Sequence, residues 1–258
     1  MTETLRPYLD FAIEIAWEAG RLTLGYFQTD LRPDFKGDES PVTVADRKAE
    51  ELIRQRIEQR YPDHAIFGEE FGGAAAATHS HRWIIDPIDG TRSFVRGIPL
   101  YGVLIGLEIE GQCQVGVANF PAMGELVAAA TGHGCWWNGR RAKVSQVEQL
   151  KHALVAHYDA ASFARVGRTA AWERIQQVAG YRAGWCDAYG YLLVATGRAD
   201  LMLDPKMDVW DCAAWPPILT EAGGFYGDWQ GNPTIYAGES IGTTQTLLPE
   251  VLRLLNDD

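Results

Sequence analysis

Between residues 101 and 132 three apolar runs, "YGVLIGLEIE", "CQVGVANFP" and "ELVAAATG", follow one another with only "GQ" and "AMG" between them. Connections that short join antiparallel neighbours, because parallel strands need a long crossover. The middle of the chain is thereby held to an antiparallel meander, and "RWIID" just before it reads as a further buried strand from its apolar, β-branched character.

Helical patterns flank this centre. Tyr8, Phe11, Ala12, Ile15, Ala19, Leu22 and Tyr26 share one stripe, which predicts an amphipathic helix over 5–27. "LRPDFKGDESP" reads as a loop, and "TVADRKAEELIRQRIEQRYP" as a helix stopped by Pro62. "FGGAAAATHSH" reads as a surface connection, with His79 and His81 as loop residues. Later segments read as helix (170–179), helix closed by glycine ("YGYLLVATGRA"), short strand ("DLMLD"), one helix despite Pro216 and Pro217 ("DVWDCAAWPPILTEAGG") and a last helix ("LLPEVLRLLNDD"). Helices and antiparallel strands in blocks predict a layered α+β architecture.

With 258 residues the chain can build a sizeable core without staples. Its four cysteines show no metal or redox spacing and read as buried thiols. No apolar run approaches a membrane span, and the acidic, amphipathic N-terminus is unlike a secretory leader, so the expectation is a cytoplasmic protein without membrane or nucleic-acid partners. A net charge of -11 opposes a phosphate backbone. It also means that a small phosphorylated ligand needs a local reversal of charge, which metal ions supply.

Acids recur where elements begin or end: Asp46, Glu69 and Glu70 in "GEE", Asp86 and Asp89 in "WIIDPIDGT", and Asp211. Singly, each also fits an ordinary role: Asp46 in a capping box after Thr43, Asp86 and Asp89 in a turn, Asp211 against a helix dipole. Together they form an oxygen donor set of the kind that Mg2+ shares with water and phosphate. Pro87 restricts the backbone between Asp86 and Asp89, Gly90 allows a sharp turn, and a helix starting there would point free N–H groups at an anion.

"VTVADRKAE", "GEE", "DPIDGTRSFVRGIPLYG" and "WDCAAWPPILTEAGG", in this order over nearly the whole chain, resemble the inositol monophosphatase family of Mg2+-dependent phosphatases. The resemblance implies a layered α/β/α/β/α sandwich, one phosphatase domain over 1–258 (a metal-binding half, 1–145, and a substrate-facing half, 146–258) and a homodimer. It implies two or three Mg2+ ions per subunit. Glu69, Asp86 and the Ile88 carbonyl match one ion's ligands, Asp86, Asp89 and Asp211 a second's, and Glu69 also a third, weaker site. Asp46 and Thr91 match the pair that orients the attacking water, and the amides of Gly90 and Thr91 match a phosphate cradle. No phospho-enzyme is implied.

By the same resemblance, segment 184–211 matches the family's substrate-facing region. Asp204 matches a contact to the alcohol part of the substrate, and "DAYGY" with Asp187 resembles the histidinol-phosphate phosphatase branch, whose substrate carries cationic groups that Asp187 and Asp204 would pair with. Capping the following helix is the ordinary role open to Asp187. Tyr189, Tyr191 and Trp185 read as core aromatics. Broad-specificity inositol monophosphatase is the alternative. A bisphosphate nucleotidase would need cations where "DAYGY" offers an acid, and a transcription partner protein would need a basic face to meet RNA. Arg92 stands where lysine is common in the branch, and "AGESIGTTQTL" is a loose version of the family's ending.

Overall fold

The computed structural model describes residues 4–35, 37, 41–73, 80–184 and 187–257. Two long helices come first, α1 (Arg6–Leu24) and α2 (Val44–Arg60), with a small ribbon of β1 (Asp34–Phe35) and β2 (Pro41–Val42) between them. Thr43 caps α2 through a reciprocal capping box with Asp46, as the spacing predicts.

The larger sheet contains β3 (Ala65–Gly68), β4 (Gly72–Gly73), β5 (His81–Asp89), β6 (Gly102–Ile109), β7 (Gln112–Phe120), β8 (Glu125–Ala130), β9 (Gly134–Trp137) and β10 (Arg140–Arg141). Its spatial order is β10-β9-β8-β7-β6-β5-β3-β4, and β6 to β8 are the expected meander. Only the β3–β5 pairing is parallel. The smaller sheet has the order β12-β11-β13-β15-β14, from β11 (Leu154–His157), β12 (Tyr181–Ala183), β13 (Leu201–Asp204), β14 (Gly224–Gly227) and β15 (Ser240–Thr244). The remaining helices are α3 (Thr91–Val95), α4 (Ala160–Arg165), α5 (Thr169–Val178), α6 (Asp187–Ala195), α7 (Val209–Cys212), α8 (Trp215–Glu221) and α9 (Leu248–Asn256).

Side-chain alternation along the strands assigns the layers. Trp83, Ile85, Val103, Ile105, Val115 and Val117 meet Ala12, Ile15, Ile53 and Ile57 of α1 and α2. Ile84, Leu104 and Ala118 point the other way, onto Tyr191 of α6 and Trp215 and Ile218 of α8, which Met202 and Ala156 of the smaller sheet cover from beyond. On that sheet's far face Val155, Leu201, Leu203 and Ile241 pack against Trp172 and Ile175 of α5 and Val251, Leu254 and Leu255 of α9. The sequence of layers is α/β/α/β/α, as the resemblance implies.

Two expectations are corrected. The "DVWDCAAWPPILTEAGG" segment is two helices, α7 and α8, with the prolines in the first turn of α8, where a missing N–H costs no intrahelical bond. His81 is the first residue of β5 instead of a loop residue, and its ring stacks on His64 at 4.5 Å. The acids lie at the end of β5, as expected of "RWIID": the strand runs on through Asp86 to Asp89, with a register shift between them. His79, Trp185 and most of the Ala-rich connection lie outside the described residues. Cys135 and Cys212 are buried and Cys113 half-buried. Among the described residues no helix is long and apolar enough to cross a membrane.

Candidate active site

The bulge at the end of β5 gathers the acids. After Leu104 pairs with Asp86, the next partner on β6, Gly102, pairs with Asp89, so extra backbone is looped out between the two carboxylates. Asp86 Oδ1 accepts the Ile88 N–H at 3.0 Å, which closes the loop locally. Gly90 then turns the chain into α3 with φ of +80°, in the left-handed region that favours glycine.

Asp211 arrives from the far side of the core. The α7–α8 junction lies directly on the large sheet: a Cβ at Gly116 would fall 1.9 Å from the Ala214 carbonyl oxygen, so only glycine permits the approach. This contact brings α7 over the end of β5. Asp86, Asp89 and Asp211 then offer one carboxylate oxygen each, all within 4.8 Å of one another, and Asp86 and Asp89 are buried.

Two of the acids serve as caps and face the site at once. Asp46 Oδ2 accepts the Thr43 N–H at 2.8 Å and the Thr43 hydroxyl at 2.6 Å, while Oδ1 accepts from the Thr91 hydroxyl at 3.3 Å. Thr91 Oγ1 also lies 3.0 Å from the Ile88 carbonyl. Asp211 Oδ2 likewise accepts the Asp208 N–H at 2.8 Å in a second capping box. The sequence sets capping and site roles for Asp46, and a helix-dipole role and a site role for Asp211, side by side as alternatives. A carboxylate has two oxygens, and Asp46 uses both.

Asp187, the first residue of α6, has a φ of +31°, in the left-handed region where aspartate is tolerated but strained. The Ala188 N–H at the start of this helix donates to Asp89 Oδ1 at 3.1 Å, a link across 99 residues that ties α6 to the end of β5. Asp204, buried at the last position of β13, completes the acidic wall. Tyr189 and Tyr191 are core residues, as expected, and their hydroxyls meet Glu125 and Ser240.

Electrostatics marks the cluster as built for a cation. Burial, then the charges of Glu69, Asp89 and Asp211, push the Asp86 carboxyl well above its ordinary range. Burial does the same for Asp89 and Asp204, reinforced by Asp187 and Asp211. Asp211 is pushed up to about 8 by burial against the opposing Asp208 N–H, with Glu69 adding to the rise. Burial raises Asp46 to about 6 and Asp187 to about 7, the latter partly offset by the Arg92 guanidinium. Arg92 also lines, with Arg96, Tyr158, Asp159 and Gly184, an open cavity of about 520 Å³. Like charges this close repel unless protons or a cation are shared among them. An all-oxygen, anionic donor set suits a hard divalent ion such as Mg2+.

Glu69 follows β3, and its N–H donates to the Ile85 carbonyl at 3.2 Å. Its charge acts on Asp46, Asp86, Asp187 and Asp211. The residue that holds its loop, Glu50, is missed by sequence reasoning, because a glutamate on a helix with arginine four residues on looks like an exposed ion pair.

These positions agree with what the chain is similar to. The profile of the inositol monophosphatase family matches residues 4–257. A histidinol-phosphatase of Chlorobaculum parvum is 46% identical over 238 residues, covering 92% of each chain, and one of Streptomyces coelicolor is 36% identical over 96% of this chain and 98% of its own. The crystal structure of the extragenic suppressor protein SuhB of Bartonella henselae superposes with a TM-score of 0.90 at 28% identity, over 97% of this chain and 99% of that one. With a family profile spanning almost every residue, relatives matched nearly end to end, and the motif acids converging on one site, this chain belongs to the inositol monophosphatase family.

Proposed function

We propose that the chain is a Mg2+-dependent phosphomonoesterase whose substrate is L-histidinol phosphate, hydrolysed to L-histidinol and phosphate. The observation that carries this reading is the Asp86, Asp89 and Asp211 triad, its first two members buried, with Asp187 and Asp204 beside it, in a chain 46% identical to a histidinol-phosphatase.

In this reading Glu69, Asp86, Asp89, Asp211 and the Ile88 carbonyl hold two or three Mg2+ ions, which when bound polarise the phosphate and make water a better nucleophile. The chain's own residues supply position. Because Thr43 immobilises Asp46 Oδ2, the opposite oxygen and the Thr91 hydroxyl are fixed relative to each other, and together they orient a water in line with the scissile bond. The Gly90 and Thr91 amides receive phosphate oxygens. Asp187 and Asp204 face the alcohol part, where an ammonium or imidazolium pairs with the two carboxylates. We read 1–145 as the half carrying most of the metal ligands and 146–258 as the substrate-facing half, with Asp211 crossing between them. A homodimer and a cytoplasmic location belong to the same reading, the former checked by sedimentation.

The test compares kcat/KM for L-histidinol phosphate and inositol 1-phosphate, in Mg2+ and with EDTA, on the wild type and Asp187→Ala. The expected outcome is a preference for histidinol phosphate that falls by about 10-fold or more in the variant, since an unpaired charged contact is costly. Equal turnover of both esters, unchanged by the substitution, would make the chain a generalist of the family.

A further inference from the structure

Glu50 lies on α2 one turn beyond Asp46, with a side chain that is fully buried. Its carboxylate meets the loop that joins β3 to β4. Oε2 accepts the Glu70 N–H at 2.8 Å, and Oε1 accepts the Phe71 N–H at 3.3 Å and Arg54 Nε at 2.7 Å. Arg54 passes on to the same loop, donating Nη2 to the Gly72 carbonyl. The packing leaves no slack, since a Cβ at Gly68 would come within 2.1 Å of Glu50 Oε1. A buried carboxylate is costly unless its oxygens are satisfied, and this one satisfies its own by gripping successive amides of one loop.

Glu69 sits inside that grip. Its N–H is held by the Ile85 carbonyl of β5, and the next two amides are held by Glu50. The backbone on both sides of Glu69 is therefore anchored, on one side to the strand that carries Asp86 and on the other to the helix that carries Asp46. We propose that Glu50 is a positioning residue that fixes the 68–72 loop so that the Glu69 carboxylate is presented to the metal ligands, with α2 acting as one rigid element that sets Asp46 and Glu69 relative to each other. The inference rests on the metal-dependent reading above.

The test uses full-length Glu50→Gln and Glu50→Asp, with Arg54→Met as a milder variant that leaves Glu50 in place. Three readouts are taken: amide hydrogen exchange of the metal-free protein, calorimetric Mn2+ binding, and the Mg2+ concentration for half-maximal hydrolysis of L-histidinol phosphate. The expected result for Glu50→Gln is faster exchange at residues 69–72 with the first turn of α2 and β5 unchanged, and Mn2+ and Mg2+ requirements raised about 10- to 100-fold, the range for residues that support metal ligands. KM at saturating Mg2+ should hold. Glu50→Asp should recover part of the loss and Arg54→Met should show a smaller shift in the same direction. A lower Tm with unchanged Mn2+ affinity and loop exchange would overturn the proposal, reducing Glu50 to a packing residue. If the wild type itself lacks phosphatase activity, the metal-dependent reading fails separately, while exchange and Mn2+ binding still judge Glu50.

Discussion

One strand, β5, buries charge in two opposite ways. Near its start Arg82 is almost inaccessible, but Glu108 on the neighbouring strand accepts from its Nε at 3.0 Å and lies 2.8 Å from its Nη2, and Tyr236 bonds to both. One turn of the bulge later, Asp86 and Asp89 are equally buried, yet the charges facing them are Glu69, Asp187 and Asp211, all of the same sign. The first arrangement is complete within the chain. The second has no opposite charge among these neighbours, and that contrast separates a buried charge that holds structure from one that suits a site.

Removing a charge from each end should therefore have opposite consequences. The largest expected effect is on activity: Asp86→Asn keeps the size of the side chain and its bond to the Ile88 N–H while deleting the carboxylate proposed to be shared between ions, so kcat/KM should fall by about 1,000-fold or more. The same variant should unfold at a higher temperature than wild type when both are metal-free, because one of the mutually repelling buried charges is gone. Mg2+ should raise the Tm of wild type and do little for the variant. A metal-free variant less stable than wild type would mean that Asp86 is not under electrostatic stress.

At the other end, Glu108→Ala strands the Arg82 guanidinium in the interior and should cost about 3–5 kcal/mol in denaturant unfolding. Turnover per folded molecule and Mg2+ dependence should stay as they are. If this variant instead changed the Mg2+ requirement, the two ends of β5 would not be independent.

The smallest effect concerns a half-buried base away from both ends of β5. His157, at the end of β11, packs against Trp172 at 4.7 Å, and its Nδ1 has no hydrogen-bond partner among the described residues. Burial lowers its pKa below the ordinary 6.5. The unfolded chain thus takes up a proton as pH falls through 6.5 while the folded chain does not, so stability declines on acidification until the folded pKa is passed. Denaturant titrations of His157→Leu between pH 8 and 5 should show a shallower decline than wild type.

How much of this was legible varies with the range of the interactions involved. The meander could be read because each run is long and its turns contain the residues that turns require. β11, β12 and β15 went unread: β15, "SIGTT", is buried at every position, so no polar alternation marks it, and β11 lies between two parallel neighbours that only a distant crossover brings together. The break between α7 and α8 was likewise hidden, because proline is compatible with a helix's first turn and only the packing against Gly116 determines where that turn begins.

By itself the sequence determined which acids could serve and the local bends that expose them, since "GEE", "DPIDGT" and the two capping boxes depend on sterics and hydrogen bonds within a few residues. Only the tertiary structure decided which acids meet. Asp211 reaches Asp86 because Gly116 lets a helix junction settle on the sheet, Asp89 takes an amide from α6, and Glu50 turns inward to hold the Glu69 loop. Such contacts depend on how layers pack across the core, and no local pattern along the chain encodes that distance.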